Sequence, residues 1–230
     1  MQNASLWPQI LQTISVIIAA VSFLIGINSW RRTEIGKKKI ELAVRTLAAF
    51  REVEQAFREI RSPMGYSNEG LSRQPIEGES ENDAEIRRRA FVAIERINNR
   101  AEKFIAVQNM RYEFEAYFGH ESIEQPYRKM LTVRARIIGA AHSLENYWRR
   151  QIHTFQTEEQ HQEHLDRMGA AEAIFWEDSD DPDPLKPVIA EMMDEVTKVC
   201  GQAIEPSRNI KEWITRRWRE FRRFWLCRTD

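Results

Sequence analysis

The residues best suited to hold a metal or move a proton are five histidines, His120, His142, His153, His161 and His164. Of these, only His161 and His164 recur at three-residue steps from an acid, Glu158, which puts all three on one side of a helix. A two-metal helical site needs a Glu-x-x-His pair on each of two facing helices. The chain has one such pair, so the spacing predicts a charged, solvated helix start, with no metal and no cofactor.

Other motifs fail at particular positions. In the acidic turn from Asp178 to Asp183, an EF-hand loop starting at Asp178 needs Gly at 183 and Glu at 189, where the chain has Asp183 and Ile189. Helix capping is the expected role. The run Gly65 to Ser72 has phosphate-loop spacing, but Leu71 stands where the lysine belongs, and the run follows a helix rather than a strand. Arg87, Arg88 and Arg89 read as a solvated face with Glu85 and Glu95 nearby. No serine elbow, zinc helix or cysteine with a base at fixed spacing is present, so the expectation is a protein that is not an enzyme. An enzyme whose residues converge only in three dimensions is the alternative, and a deep pocket with converging polar groups is what distinguishes it.

Those residues sit in 230 residues that are 42% hydrophobic and 30% charged, which excludes a wholly disordered chain and a multi-pass membrane protein. Few glycines and prolines, and few alternating β-branched runs, point to helices. The net charge of -1 hides strong segregation. Residues 1 to 30 carry no Asp, Glu, Lys or Arg, whereas residues 31 to 39 carry five positive charges against one negative. Residues 156 to 205 are acidic and those from 206 onward basic. No long basic surface favours nucleic acid.

The charge-free opening predicts a retained transmembrane helix over 8 to 30, with residues 1 to 7 as a short external N-terminus. Trp7 and Trp30 bracket it, about 35 Å apart at roughly 1.5 Å per residue, as interfacial anchors do. A cleaved signal peptide is the competing reading, but a basic n-region is lacking. Arg31, Arg32, Lys37, Lys38 and Lys39 follow the span, so the positive-inside rule places residues 31 to 230 in the cytoplasm. Arg outnumbers Lys 26 to 8, which fits a GC-rich bacterial genome, and the membrane is then the bacterial inner membrane. Cys200 and Cys227 are then free thiols in a reducing compartment.

Within the span, Gln12, Ser15, Ala19, Ser22, Gly26 and Ser29 fall at steps of 3 and 4 along one stripe. Small and polar side chains at such spacing let helices approach in lipid, so the stripe predicts homo-oligomerisation through helix-helix contact. The alternative is a lone helix whose serines bond back to their own carbonyls. The same steps continue through Thr33, Gly36, Ile40, Ala43, Leu47, Phe50, Glu54 and Phe57. A juxtamembrane helix over 31 to 61, continuous with the span, follows, and its stripe either pairs with a second copy or packs on the chain's own later helices.

Pro63 ends that helix, and residues 62 to 82 read as a flexible loop whose composition points to partial disorder. Residues 83 to 230 read as an irregular cytoplasmic helical bundle that packs also on residues 40 to 60. Its helices are expected over 83 to 118, 122 to 155, 158 to 177, from 184 after an Asp183 cap, and over 208 to 228. In the last, Trp213, Trp218, Phe221 and Trp225 share a face, with Arg222 and Arg223 on the other side. Two uses fit this amphipath, core packing and contact with a membrane or partner, and the indoles favour the core.

The sequence therefore predicts an all-α, single-pass, membrane-anchored protein that acts as a protein-interaction scaffold, sensor or regulator, its partner unidentified. The alternative is a membrane effector whose transmembrane helices cluster into a leak.

Overall fold

The computed structural model of the chain describes residues 6–151, 155–179 and 181–204, with side chains from residue 10 in the first helix. Among the described residues all regular structure is helical: α1 (Leu6–Arg61), α2 (Glu81–Asn99), α3 (Ala101–Phe118), α4 (Glu121–Arg150), α5 (Glu158–Phe175) and α6 (Lys186–Ile204). The helix expected over 208 to 228 lies outside them.

The chain divides into two units, Met1–Leu42 and Ala43–Asp230. The first contributes the apolar part of α1, where an 18-residue window has mean hydropathy 2.4 and none of it is buried in the chain. That length and composition are enough to cross a membrane. Burial in a core cannot explain the window, because Ile18, Phe23, Leu24 and Ile25 each keep 60 to 69% of their surface exposed.

In the second unit α4 packs against α2, α3, α5 and α6. The C-terminal stretch of α1 belongs to this core, with Ala43, Phe50, Val53, Ala56, Phe57 and Ile60 all fully buried. Its stripe thus packs on the chain's own helices, in a register that differs from the sequence reading. Ala43, Phe50 and Phe57 form the expected column, but the second column is Thr46, Val53 and Ile60 rather than Leu47 and Glu54. Leu47 and Glu54 are both half-buried, and Arg51 and Arg58 each lie 2.9 Å from the Glu54 carboxylate.

The helix expected over 83 to 118 is broken at Arg100, whose backbone (φ -114, ψ 15) leaves the helical region. Asn98 and Asn99, both poor helix formers, precede the break. The Arg100 guanidinium bonds Glu59 of α1 at 2.6 Å, which fixes the corner. Beyond the break Ile105 is 51% exposed, and on α4 Leu131 is 40% exposed.

Capping sets the other ends. Ser80 accepts from the Asp83 N–H and Thr157 from the Gln160 N–H, Thr157-x-x-Gln160 having the spacing of a capping box. Gly119, at φ 90, ends α3. The fourth helix stops at Arg150 instead of 155. Asp183 Oδ1 accepts the Leu185 and Lys186 N–H groups at 2.8 and 3.2 Å, so α6 begins at Lys186, two residues beyond the expected start.

Residues 62 to 80 form no helix, yet the loop is tied down. Arg96 donates to both carboxylate oxygens of Glu69 and to the Ser62 and Met64 carbonyls, at 2.7 to 2.9 Å. Glu95 accepts the Gly70 and Ser72 N–H groups, and Glu79 takes Arg73, Arg87 and the Ile76 N–H. Glu69 and Glu79, two of the loop's own acids, are thus among its anchors.

Candidate functional site

The stripe residues Gln12, Ser15, Ala19, Ser22, Gly26 and Ser29 all lie on α1 and all are exposed. A Cβ added at Gly26 meets nothing within 4 Å, so the backbone there is open to a neighbour. Ser15 donates its hydroxyl to the Leu11 carbonyl at 2.9 Å and Thr33 to that of Ser29 at 3.0 Å, the back-bonding that satisfies a hydroxyl in an apolar setting. Trp30 is 68% exposed, and Arg31, Arg32, Lys37 and Lys38 are exposed with Lys39 half so. The Trp7 side chain, and Trp213, Trp218, Phe221, Arg222, Arg223 and Trp225, lie outside what the structure describes.

The acidic turn does a structural job. Arg61, the last residue of α1, directs its guanidinium to the Ala173, Ile174 and Trp176 carbonyls at the end of α5, and to Asp183 Oδ2 at 2.9 Å. Both partners are buried. Burial pushes the Asp183 carboxyl up, but the Arg61 hydrogen bond and the Leu185 N–H outweigh it and hold the group below its ordinary value. Arg96 does the corresponding work at the end of α1, donating to the Ile60 and Ser62 carbonyls. Its hydrogen bond keeps Glu69 low, against the opposing effect of burial. Each arginine therefore caps a helix C-terminus and carries a carboxylate partner.

The arginine run is likewise absorbed. Arg87 bonds Glu79 and Glu145, Arg88 bonds Glu85, and Arg89 lies 4.3 Å over the Trp148 ring.

One trio that the sequence reading missed has ligand character. Glu115, His120 and Glu124 bring their ligand atoms within 4.8 Å of one another at the α3–α4 corner. His120 lies 3.3 Å from each carboxylate, through a different ring nitrogen in each case. Arg111 already bridges the two acids at 2.6 and 2.9 Å, so their charge is matched by a guanidinium.

His161 and His164 separate. His161 is half-buried and stacks on Phe155, while His164 is buried between Phe155 and the edge of Tyr147, at ring distances of 4.9 and 5.6 Å. The expected solvated role fails for His164 because it, and not Leu165, takes the inward position on α5. Its Nε2 is buried with no hydrogen-bond partner among the described residues.

Among known proteins, no family model, no curated protein and no solved structure matches the chain.

Proposed function

We propose that this is a single-pass membrane protein, held by the N-terminal part of α1 with its N-terminus outside and residues 31 to 230 in the cytoplasm of a bacterial cell. The observation that carries this reading is the charge-free window of α1 with mean hydropathy 2.4, wholly exposed in the chain and followed at once by Arg31 and Arg32. The apolar side chains of an 18-residue window left in water are far more costly than the same side chains in lipid.

In this proposal the stripe from Gln12 to Ser29 brings copies together, and the helices beyond Ala43 present a charged surface to a protein partner. The molecule acts as an anchored scaffold, sensor or regulator. Clustering of the same spans into a leak is the outcome that dye entry on expression would reveal.

The test is extraction and topology. After an alkaline carbonate wash the protein stays in the membrane, and a C-terminal reporter active only in the cytoplasm works. Release into the wash, or a reporter active only outside, overturns the proposal.

A further inference from the structure

Where α4 ends and α5 begins, the chain leaves a cavity of about 560 Å³, open to solvent. That volume falls within the roughly 300 to 1,000 Å³ range of pockets that take small organic ligands. Its wall combines two kinds of group. Tyr147, Phe155 and His164 supply ring surface, and Arg150, Gln156 and Gln160 supply a cation and two amides.

Arg150 is exceptional in its surroundings. From Ala43 to Ile204 every other arginine has a carboxylate, a carbonyl or an aromatic ring as partner. Its own neighbour in sequence, Arg149, bonds Asp83 at 2.8 Å. Arg150 alone has none among the described residues. Among the described residues of the cavity wall the one carboxylate, Glu163, is already bonded to Arg167, so it does not neutralise Arg150.

The floor of the cavity is ring surface from Tyr147, Phe155 and His164. A buried imidazole nitrogen without a partner is costly, and His164 Nε2 is such an atom, on a ring 6% exposed. That nitrogen is closed off from solvent, so what His164 offers a guest is ring surface. An unpaired guanidinium at the rim, amides beside it and a ring-lined floor together suit a ligand with an anionic group at one end and a flat apolar body at the other.

The geometry points to this cavity as a binding site for a small aromatic anion, its carboxylate or phosphate group on Arg150 and its ring against Phe155 and His164. The inference concerns the second unit alone and stands whether or not α1 crosses a membrane.

The experiment uses the full chain in nanodiscs of zwitterionic lipid, titrated in a calorimeter with phenyl phosphate and, separately, benzoate. These two arms distinguish phosphate from carboxylate. Inorganic phosphate and benzyl alcohol serve as the two halves of the ligand. One of the aryl anions is expected to bind one per chain, about tenfold or more tighter than either half. Arg150→Gln should weaken it by about tenfold with the melting temperature unchanged, since this exposed side chain has no partner among the described residues. Phe155→Leu should weaken it as well. Failure of both aryl anions to saturate by about 10 mM overturns the proposal, because affinity weaker than that is below what a formed pocket provides. Equal binding to the Arg150→Gln protein, or inorganic phosphate binding as tightly as the aryl anion, also overturns it.

Discussion

Arg61 Nη2 lies 2.9 Å from Asp183 Oδ2, and only 2% of either side chain reaches solvent. The two residues are 122 positions apart, so this contact closes the end of α1 onto the turn that leads into α6.

Removing one partner strands the other charge in a dry site. Asp183→Ala should cost about 3 to 5 kcal/mol. Arg61→Ala should cost at least as much, because it also leaves the Ala173, Ile174 and Trp176 carbonyls without their donor. Chemical denaturation of the protein in detergent measures both, and a loss under about 1 kcal/mol in either variant contradicts the account.

The same pair sets an acid limit. Asp183 and Glu69 are held below their ordinary values in the folded chain. A carboxyl lowered on folding contributes stability that is fully present above its unfolded value, near 3.8 for Asp183 and 4.5 for Glu69, and is lost as pH falls through the folded value. Stability should therefore drop steeply below those values. Asp183→Asn and Glu69→Gln should be less stable at neutral pH and show a shallower acid limb in melting temperature against pH.

The register of α1 separates its faces. Ile60→Ala, in the buried column, should cost about 2 to 5 kcal/mol, whereas Glu54→Ala, which loses two pairs with exposed arginines, should change stability by about 1 kcal/mol or less. Thr46 is buried with its hydroxyl unpartnered among the described residues. Thr46→Val should therefore raise stability by about 1 kcal/mol, measurable in the same denaturation series.

Cys200 offers a reactivity test. Burial alone pushes its thiol up to about 11, so almost none is thiolate at pH 8. In a Cys227→Ser background, alkylation at pH 8 should be slow in the native protein and fast in denaturant. Mass spectrometry over a time course reads the difference, and rapid native labelling contradicts the buried placement.

Cysteine crosslinking tests the stripe. Single cysteines at Ser15, Ser22 or Ser29 should crosslink between copies in native membranes more than cysteines at Val16 or Phe23. Equal yields on all faces, or none, would leave α1 a monomeric anchor.

The helical class was legible because it rests on local periodicity and caps. The column through Ala43, Phe50 and Phe57, the stop before Pro63 and the Thr157 cap were all readable from spacing. The second column was not, since steps of 3 then 4 and of 4 then 3 start from the same residues and lead to opposite sides of them. Glu54, a charge in the wrong column, was the available signal. The contacts of Arg61 with Asp183 and of Arg96 with Glu69 join segments by charge across long separations, which no local pattern encodes. His164 was missed because Leu165 beside it is the more apolar of the two, and its neighbour Tyr147 lies on another helix.

The loop after α1 is fastened in two separate places. Residues 62 to 72 are fixed through Arg96 and Glu95, while Arg73 and Ile76 are fixed through Glu79, and Gln74 to Gly78 between and beyond these points are exposed. A single peptide cut near Gln74 therefore removes no anchor from either side. The protein is in that sense divisible: a fragment ending near Gln74 and one beginning near Pro75 each keep the side chains and carbonyls by which they recognise the other, and co-expressed pieces should reassemble as a split protein.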